Sequence, residues 1–521
     1  MIRSLRNIPV TATIRKAWNE QPLPLIMTLA VVFRMLAAIF ARGWGMLDDH
    51  FLVIEAPQSW VFGYDYNNWL PSSKGNTGPS GHNFFYPGLH YLLFLLMKWT
   101  SLDDPQYKML IVRILHAGWS LVTVWAGYRI TETLSERRAA RLAGILLALY
   151  FFMPWISVRN LAEVACIPFI MLAFWRLVKP GKESPGFGAA LAAGAFLGLA
   201  MDFRYQVALF PAGVAIVFLL RRQWSEVAGV TAGVFLTFFV VQSMIDLAIW
   251  GYPFAEMAGY IRVNVVDRNS YFNLPWYNYF LTVGGLLIPP VSLFLFYGFF
   301  RGWKKHLLLF LPALFFFAFH SYFPNKQERF ILPFIPVFIV LGSAGYYRYM
   351  GDNASRPGWR AFIRGSWIFF WTLNIIGLAG VTFMYSKKSR VEAMYYLYNY
   401  PYVKNIILED GHGNAPLLPK FYTGRWPSYP ETFGGDTTFA LHVRTLSTKP
   451  RFHHPQFYLF TGEKDLDLRI SRARESFPGL VYDTTIRAGF IDQVMHFLNP
   501  VNQAEQIYIY RNTEFYREKI E

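Results

Sequence analysis

Apolar runs of about membrane-spanning length follow one another through the first 385 residues of this 521-residue chain. A helix needs roughly 20 apolar residues to cross the hydrocarbon core of a bilayer, which is about 30 Å thick. Hydrophobic residues make up 54% of the chain and charged residues 16%, a balance that excludes an assembly of soluble domains. The sequence therefore predicts a polytopic α-helical membrane protein with about eleven transmembrane helices. The runs lie at 23–40, 109–128, 139–157, 161–178, 186–202, 205–220, 227–249, 276–299, 307–320, 330–347 and 365–385.

Basic residues set the predicted orientation of these helices. With eleven spans, 20 lysine and arginine residues fall in the loops on the same side as the N-terminus, and short cytoplasmic loops are rich in these residues. We therefore expect the first run to be a retained signal-anchor with its amino end in the cytoplasm. A twelfth span at 84–99 would reverse every later loop, but that stretch is short and contains Pro87 and His90. We interpret it as an interfacial or re-entrant helix within one large extracytoplasmic loop, residues 43–108.

Charge and cysteine content exclude several classes of function. The first 385 residues carry +14 of the net charge of +16, in loops beside apolar runs. No basic run is interleaved with aromatic residues, so a nucleic-acid partner is not expected. Cys166, the single cysteine, lies in an apolar run. One cysteine cannot form an internal disulfide or a cysteine metal cluster. The sequence also lacks a phosphate-binding glycine loop of the Walker or GxGxxG type.

The composition changes at Ser386. Charged residues make up 32 of the last 136 positions, against 50 of the first 385, which is typical of a soluble domain. Short β-rich stretches alternate here with helix-like segments at 466–476 and 488–498. We therefore predict a transmembrane domain, residues 1–385, and an extracytoplasmic α/β domain, residues 386–521. The predicted strands are 405–408, 439–443, 456–460, 480–482 and 506–510.

Acidic and basic residues from five predicted loops fall on the extracytoplasmic face. Because charge is costly in lipid, such residues are candidates for a functional site. They could instead start helices or form ion pairs, as Arg159 and Glu163 would at i, i+4 on one helix. That alternative stays open for any single residue, but it does not explain the order of the motifs. In chain order these are Leu47-Asp48-Asp49-His50 with Glu55 and Phe62-Gly63-Tyr64, Arg159-Asn160-Leu161-Ala162-Glu163, Arg204 to Pro211, Asp246 with Trp250-Gly251-Tyr252, Asn264 and Pro275-Trp276-Tyr277-Asn278-Tyr279, and Asn325-Lys326-Gln327-Glu328-Arg329-Phe330-Ile331-Leu332-Pro333.

This order of motifs resembles that of the GT-C membrane glycosyltransferases. Within them it is most similar to glycosyltransferase family 22, the α-mannosyltransferases of GPI-anchor and dolichol-linked oligosaccharide assembly and their bacterial relatives. The resemblance covers roughly residues 23–345 and is most specific at 325–333, which match the family's His-Lys-Glu-x-Arg-Phe-x-x-Pro signature except at its first and third positions. Met46 and Asn325 stand where the family has histidine, and Asp49 where it has glutamate. These changes bear on the identity of the sugar more than on the broad chemistry.

The resemblance implies a GT-C fold and an inverting transfer of a mannosyl residue from a polyprenyl-phosphate donor to a hydroxyl of a lipid-linked or membrane-proximal glycan. A sugar hydroxyl is a weak nucleophile that needs a carboxylate to take its proton, and Asp48 is our candidate base, with Asp49 as its partner. Positive side chains are needed to bind the donor phosphate, and Arg329, Lys326 and Arg204 are the candidates. The remaining motif residues are expected to bind substrate: Glu55, Arg159, Glu163, Asp246, Tyr252, Asn264, Trp276 and Glu328.

We expect no cofactor, because a cationic pair can neutralise one lipid phosphate, although oxygens of Asp48, Asp49 and Glu55 could ligate a divalent metal. The expected partners are the donor, the acceptor and membrane lipids, and a bacterial inner membrane is preferred to the endoplasmic reticulum. Three alternatives remain: a GT-C transferase for another lipid-linked sugar such as arabinose or aminoarabinose, a transporter or flippase, and a scaffold for the outer domain. A transporter should place ionisable residues near the midplane and show internal repeats, and neither is found in the sequence.

Overall fold

The chain forms two compact units. The first comprises Met1–Ile39, Asn67–Leu89 and Val112–Phe383, and the second Phe40–Tyr66, His90–Ile111 and Met384–Glu521. Most of the predicted first loop thus belongs to the same unit as the C-terminal region. The computed structural model describes residues 16–71, 78–79, 81–178, 184–266, 273–353, 356–401, 403–410, 417–426, 433–434, 448, 450, 454–500 and 504–514.

Helices account for most of the chain up to residue 400. Most of the described helices follow the apolar runs, and those in predicted extracytoplasmic regions are Asp48–His50, Ala56–Val61, Phe85–Trp99, Ala255–Ile261 and Lys388–Tyr398. The longer helices are α1 (Pro22–Phe40), α2 (Phe85–Trp99), α3 (Pro105–Leu134), α4 (Arg137–Leu149), α5 (Ile167–Leu177), α6 (Phe187–Phe203), α7 (Leu209–Leu220), α8 (Trp224–Trp250), α9 (Asn278–Leu286), α10 (Val291–Arg301), α11 (Leu307–Tyr322), α12 (Phe334–Asn353), α13 (Pro357–Thr382), α14 (Lys388–Tyr398), α15 (Leu466–Ser476) and α16 (Phe490–Leu498). Short helices are Asp48–His50, Ala56–Val61, Met153–Ile156, Ala162–Ala165 and Ala255–Ile261.

Four helices in the described part of the chain are long and apolar enough to cross a membrane, namely α1, α3, α8 and α13. The α9–α10 pair, bent by 118°, passes the same test when taken together. Other apolar runs form shorter helices because breaks divide them: 139–157 holds α4 and Met153–Ile156, and 161–178 holds Ala162–Ala165 and α5. The molecule is therefore a helical multi-pass membrane protein, and the predicted number of about eleven spans stays a prediction.

The predicted interfacial segment at 84–99 forms α2, whose 15 residues are fewer than a span requires. Leu92, Leu96 and Trp99 lie on its exposed side at positions i, i+4 and i+7. An amphipathic helix with an exposed apolar stripe is what an interfacial position requires.

Side chains from other helices satisfy the backbone where α4 ends within an apolar run. The buried amide of Asn374 on α13 donates to the Leu149 carbonyl at 2.8 Å and accepts from the Phe151 N–H at 2.9 Å. Arg34 on α1 donates to the carbonyls of Leu147 and Ala148, each at 3.1 Å. In lipid no water can replace these partners, so the helix break depends on them.

Replacing Asn374 with leucine is expected to lower the free energy of unfolding by about 2 to 4 kcal/mol, because two buried backbone groups lose their partner. Thermal unfolding of the purified protein in detergent measures the loss. Thr372→Val on the same helix is the matched control, since the Thr372 hydroxyl is exposed and donates to the Ile368 carbonyl of its own helix. Equal stability of the two variants would contradict this account of the break.

Helix α6, which Arg204 follows as the C-terminal cap, packs closely on α8. A side chain at Gly194 would place its Cβ 2.2 Å from the Val230 carbonyl oxygen, and one at Gly233 would meet the Leu191 carbonyl at the same distance. Only glycine fits at either position. Such small residues are the usual means by which membrane helices approach closely.

A five-stranded mixed sheet occupies the second unit, in the order β2-β1-β3-β5-β4. β1 is parallel to β2 and β3, whereas β5 is antiparallel to β3 and β4. Helix α15 covers one face, where Ile470 and Phe477 pack against sheet residues such as Phe460. The strands are β1 (Ile406–Asp410), β2 (Phe433–Gly434), β3 (Phe457–Thr461), β4 (Leu480–Ile486) and β5 (Ile507–Asn512).

Four of the five predicted strands are present in this sheet, and the fifth, at 439–443, lies outside the described residues. A buried ion pair joins the sheet to α15, with Arg469 Nη2 at 2.6 Å from Glu409 Oε2. The same guanidinium donates to the Thr461 carbonyl at 2.8 Å. This α/β arrangement agrees with the sequence pattern, while the boundary at residue 386 and the independence of the domain stay predictions.

Candidate active site

Two arginines from separate motifs share one carboxylate in the first unit. Glu163 is buried at the start of the helix Ala162–Ala165. Its Oε1 lies 2.9 Å from Arg204 Nη1 and 3.4 Å from Arg329 Nε. The alternative of an i, i+4 pair on one helix between Arg159 and Glu163 fails because that helix begins only at Ala162. Glu163 instead contacts Arg204 and Arg329, two of the residues predicted to bind the donor phosphate.

Phe330 supports both guanidinium groups. Arg204 Cζ lies 4.5 Å from the centroid of its ring, and Arg329 Cζ lies 5.5 Å from it. The two arginine side chains are 15% and 12% exposed, so neither is fully buried. Stacking on an aromatic ring holds a planar guanidinium in place while leaving its N–H groups to bind an anion.

Lys326 is the third predicted phosphate-binding residue and is buried. Its Nζ donates to the Phe323 carbonyl and lies 6.0 Å from the ring centroid of Tyr279, whose hydroxyl donates to the Gln327 carbonyl at 2.9 Å. Burial lowers the pKa of the Lys326 ammonium. Among the residues that the structure describes, no ion pair includes Lys326, so an anion bound here would supply the missing negative charge.

Several buried polar atoms close to these cations have no hydrogen-bond partner within the described chain. They include both side-chain atoms of Asn325 and Nε2 of His320, and the His320 imidazole interacts electrostatically with Arg204 and Lys326. Buried polar groups are nearly always paired in native proteins, so a concentration of unpaired ones indicates a place for a polar ligand.

A second polar cluster of the first unit centres on Glu256, which the sequence reasoning missed. Its Oε2 accepts from the Phe84 N–H at 2.9 Å and from Gln242 Nε2 at 3.1 Å, and its Oε1 accepts from Trp250 Nε1 at 3.3 Å. Asp246, predicted to bind substrate, accepts from the Glu256 N–H at 3.4 Å and so holds the start of the helix Ala255–Ile261. An acid four residues after the end of the Trp250-Gly251-Tyr252 motif was the available signal.

Burial raises the pKa of the Glu256 carboxyl to about 7, whereas an unfolded glutamate titrates near about 4.3. Between these values the folded protein holds a proton that the unfolded chain has lost. The contribution of Glu256 to the free energy of unfolding is therefore fully present below about pH 4.3 and is lost, by about 4 kcal/mol, as the pH rises through about 7.

The midpoint of thermal unfolding between about pH 5 and about pH 8 tests this expectation. The wild-type midpoint should fall with pH more steeply than that of Glu256→Gln, which cannot titrate at this position. Glu132→Gln is the control, because Glu132 is in an exposed pair with Arg129. Parallel pH profiles for wild type and Glu256→Gln would show that Glu256 stays charged throughout.

The acids of the first loop belong to the second unit. Asp48 begins the short helix Asp48–His50, and its side chain lies outside the described part of the chain. Asp49 is buried and its Oδ2 accepts from the Gly45 N–H at 3.0 Å. Glu55 is fully buried: its Oε1 accepts from the Phe421 N–H at 2.9 Å and contacts His50 Nε2 at 3.2 Å. Glu55 thus joins the loop to the C-terminal region.

The C-terminal region contributes side chains that sequence reasoning did not place near the first loop. The His50 ring stacks between Trp44, at a centroid distance of 4.9 Å, and Tyr422, at 5.6 Å. The Lys387 ammonium interacts electrostatically with Asp49, and burial lowers the pKa of this lysine. Lys420 interacts with Glu55 in the same way, and burial lowers its pKa too. No local motif signals the contacts of Tyr422, Lys387 and Lys420, because each partner is more than 300 residues away in the chain.

Family comparison supports the resemblance found in the motifs. A model of the Alg9-like mannosyltransferase family matches residues 25–406, which is well over half of the chain. The chain belongs to this family. The match includes every motif from Asp48 to Arg329 and ends at Ile406, the first residue of β1, so the predicted membership of glycosyltransferase family 22 is confirmed.

Curated relatives of this Alg9-like protein have GPI mannosyltransferase names. GPI mannosyltransferase 3 of Candida albicans is 22% identical over 329 residues, which cover 61% of this chain and 63% of the relative. GPI alpha-1,2-mannosyltransferase 3 of Danio rerio is 21% identical over 336 residues, covering 60% and 58%. The chain thus spans about three fifths of the length of these relatives.

A solved structure has the same fold along nearly the whole chain. The crystal structure of ArnT from Cupriavidus metallidurans bound to undecaprenyl phosphate matches with a TM-score of 0.58 and 12% identity, covering 94% of this chain and 97% of ArnT. At this identity the likeness concerns the fold alone. The Alg9-like protein is accordingly a helical membrane protein of the GT-C type.

The remaining predicted substrate residues of the family motifs differ in their surroundings. Arg159 is buried with its Cζ 4.8 Å from the Trp155 ring centroid, and Asn264 Nδ2 donates to the Tyr260 carbonyl at 3.1 Å. Tyr252, Trp276 and Glu328 are exposed. Among the described residues, no three His, Cys, Asp or Glu side chains are grouped as metal ligands. Substrate contacts and metal independence stay predictions.

Proposed function

We propose that this member of the Alg9-like family transfers a mannosyl residue from a polyprenyl-phosphate donor to a hydroxyl of a lipid-linked or membrane-proximal glycan. The transfer takes place on the extracytoplasmic side and inverts the anomeric carbon. Family membership, the GPI mannosyltransferase names of relatives and the undecaprenyl phosphate bound by ArnT support this proposal. A bacterial inner membrane remains our preferred location.

The proposal rests on one observation, the contact of Arg204 and Arg329 with the single carboxylate of Glu163. With Lys326, the group has three positive charges and one negative charge, so its net charge is 3 − 1 = +2. A nucleotide diphosphate would need more positive charge or a metal. A single lipid phosphate suits this group, since guanidinium and phosphate form paired, charge-assisted hydrogen bonds.

The positive charge of this group stabilises the departing phosphate more than it stabilises the donor phosphodiester. The donor is a phosphodiester with one negative charge, while the departing polyprenyl phosphate is a monoester that carries roughly −1.5 to −2 at pH 7. Positive groups that are already in position stabilise the charge as it develops in the transition state. Arg204, Arg329 and Lys326 are therefore proposed to assist departure of the phosphate, and Glu163 to hold the two arginines in position.

Proton transfer is assigned to the first loop. As the acceptor oxygen bonds to the anomeric carbon, its proton passes to the carboxylate of Asp48. The bond between the anomeric carbon and the phosphate oxygen breaks, and its electron pair stays on the phosphate. Asp49 keeps the backbone of the loop in place through its bond from the Gly45 N–H. No metal is needed to balance these steps.

A panel of radiolabelled polyprenyl-phosphate sugars, offered in parallel to the purified protein in liposomes with lipid-linked glycan acceptors, tests the proposal. Mannose is expected to be transferred, with no loss of rate in EDTA. Transfer of a pentose or an aminopentose would favour the other GT-C alternative. Movement of the labelled lipid between leaflets with no sugar transfer would replace the enzyme by a flippase.

A further inference from the structure

Helix α16 of the second unit exposes its apolar face, whereas an amphipathic helix in a soluble domain buries that face. None of its nine residues is buried. Phe490, Phe497 and Leu498 are 76%, 86% and 71% exposed. They recur at i, i+7 and i+8, which places them on one face of the helix. A soluble domain would turn such a face toward its core, so this one requires a partner.

The polar face of α16 holds the helix to the rest of its unit. Asp492 accepts from the backbone N–H groups of Lys387 and Lys388, one on each carboxylate oxygen and each at 3.2 Å. Gly489, just before the helix, lies so close to the Tyr385 carbonyl that an added Cβ would be 3.1 Å from its oxygen. With its polar side anchored in this way, α16 turns its apolar side away from the protein.

The segment that anchors α16, residues 385–388, follows the last apolar span closely in the sequence. Lys387 follows the end of α13, the last apolar span, by five residues, and five residues extend at most about 18 Å. The charge of the region also suits a membrane. Lys387 interacts with Asp49, and the other charges within residues 383–390 and 487–498 are Lys388, Arg390 and Arg487 against Asp492, a net charge of 3 − 1 = +2. Anionic lipid headgroups attract basic residues at a membrane surface.

We propose that α16 lies in the outer surface of the membrane, with Phe490, Phe497 and Leu498 among the lipid chains and the basic residues at the headgroups. Aromatic rings favour this interfacial depth, and an in-plane amphipathic helix buries its apolar face there. The C-terminal region would then be attached to the membrane at a second point, in addition to its covalent link to α13. This inference does not depend on the proposed reaction.

Spin labelling of the full-length protein in lipid nanodiscs tests the proposal. Since Cys166 is the single cysteine and is buried, a Cys166→Ala background allows one nitroxide at a chosen site. Phe497→Cys and Leu498→Cys report on the apolar face, Gln493→Cys on the polar face, and Ser471→Cys on the exposed side of α15. Accessibility to oxygen and to a water-soluble nickel chelate is measured for each.

Labels at 497 and 498 are expected to favour oxygen over the nickel chelate, and the label at 471 to favour the chelate. The preference at 497 should be stronger in nanodiscs of phosphatidylcholine with phosphatidylglycerol than in phosphatidylcholine alone. A chelate preference at both 497 and 498 would overturn the proposal by placing α16 in water. If the labels are shielded from both reagents, and this shielding disappears in nanodiscs that each hold a single protein, a second copy of the chain covers α16. That result would overturn the proposal.

Discussion

Replacing Arg329 with alanine is expected to lower turnover at saturating donor by about 100- to 1,000-fold, the usual loss when a group that stabilises developing charge is removed. Arg329 lies 3.4 Å from Glu163 and stacks on Phe330, so it is held in place before the donor arrives. Arg329→Lys keeps the charge but loses the planar pair of donors. We expect it to recover only part of the rate.

Initial rates with labelled polyprenyl-phosphate mannose measure the effect, with thermal unfolding as a check on folding. Arg129→Ala is the matched control, since this arginine forms an exposed pair with Glu132. The role assigned to Arg329 is wrong if its alanine variant is folded and keeps at least a tenth of the turnover. A change in KM with unchanged kcat would mean that Arg329 binds donor and transition state equally.

Asp48→Asn is expected to lower kcat by about 100- to 10,000-fold, the range over which general-base catalysis contributes. Asparagine has nearly the same size and cannot take the acceptor proton. The residual rate should also lose the rise with pH that ionisation of a catalytic carboxylate causes. Asp49→Asn should cost much less, because the Asp49 carboxylate is engaged with the Gly45 N–H.

Rates across a pH series with both variants separate these roles. Asp103→Asn is the control for an exposed acid of the same unit. Full turnover by Asp48→Asn would falsify the assignment of the base. A larger loss in Asp49→Asn than in Asp48→Asn would exchange the two roles, because the first-loop motif offers both carboxylates.

The membrane fold was predictable because lipid imposes a simple rule on sequence. Apolar runs of sufficient length gave the helices, and alternation after residue 400 gave most strands of the sheet. Breaks such as the one after Leu149 were not predicted, since they depend on Asn374 and Arg34, which lie far away in the chain. Local apolar pattern contains no information about such distant partners.

The candidate site was predictable where its residues occur in compact motifs. Arg204 and Arg329 were assigned to one role, and the structure brings both to Glu163. Glu163 itself was expected either to bind substrate or to pair with Arg159, because the helix start at Ala162 was not foreseen. Glu256 and the contact of Glu55 with the Phe421 N–H were missed, since burial and pairing between remote segments leave no local signal.

Through the hydrogen bond from the Phe421 N–H to Glu55, the C-terminal region holds a buried carboxylate of the first loop. A protein truncated before Phe421 would keep all the family motifs, yet its buried Glu55 would lose a backbone donor and His50 would lose the Tyr422 ring. Chimeras between family members should accordingly exchange residues 40–66 and the C-terminal region together. Exchanging either segment alone would combine a first loop and a C-terminal region from different proteins, whose contacting side chains would not match.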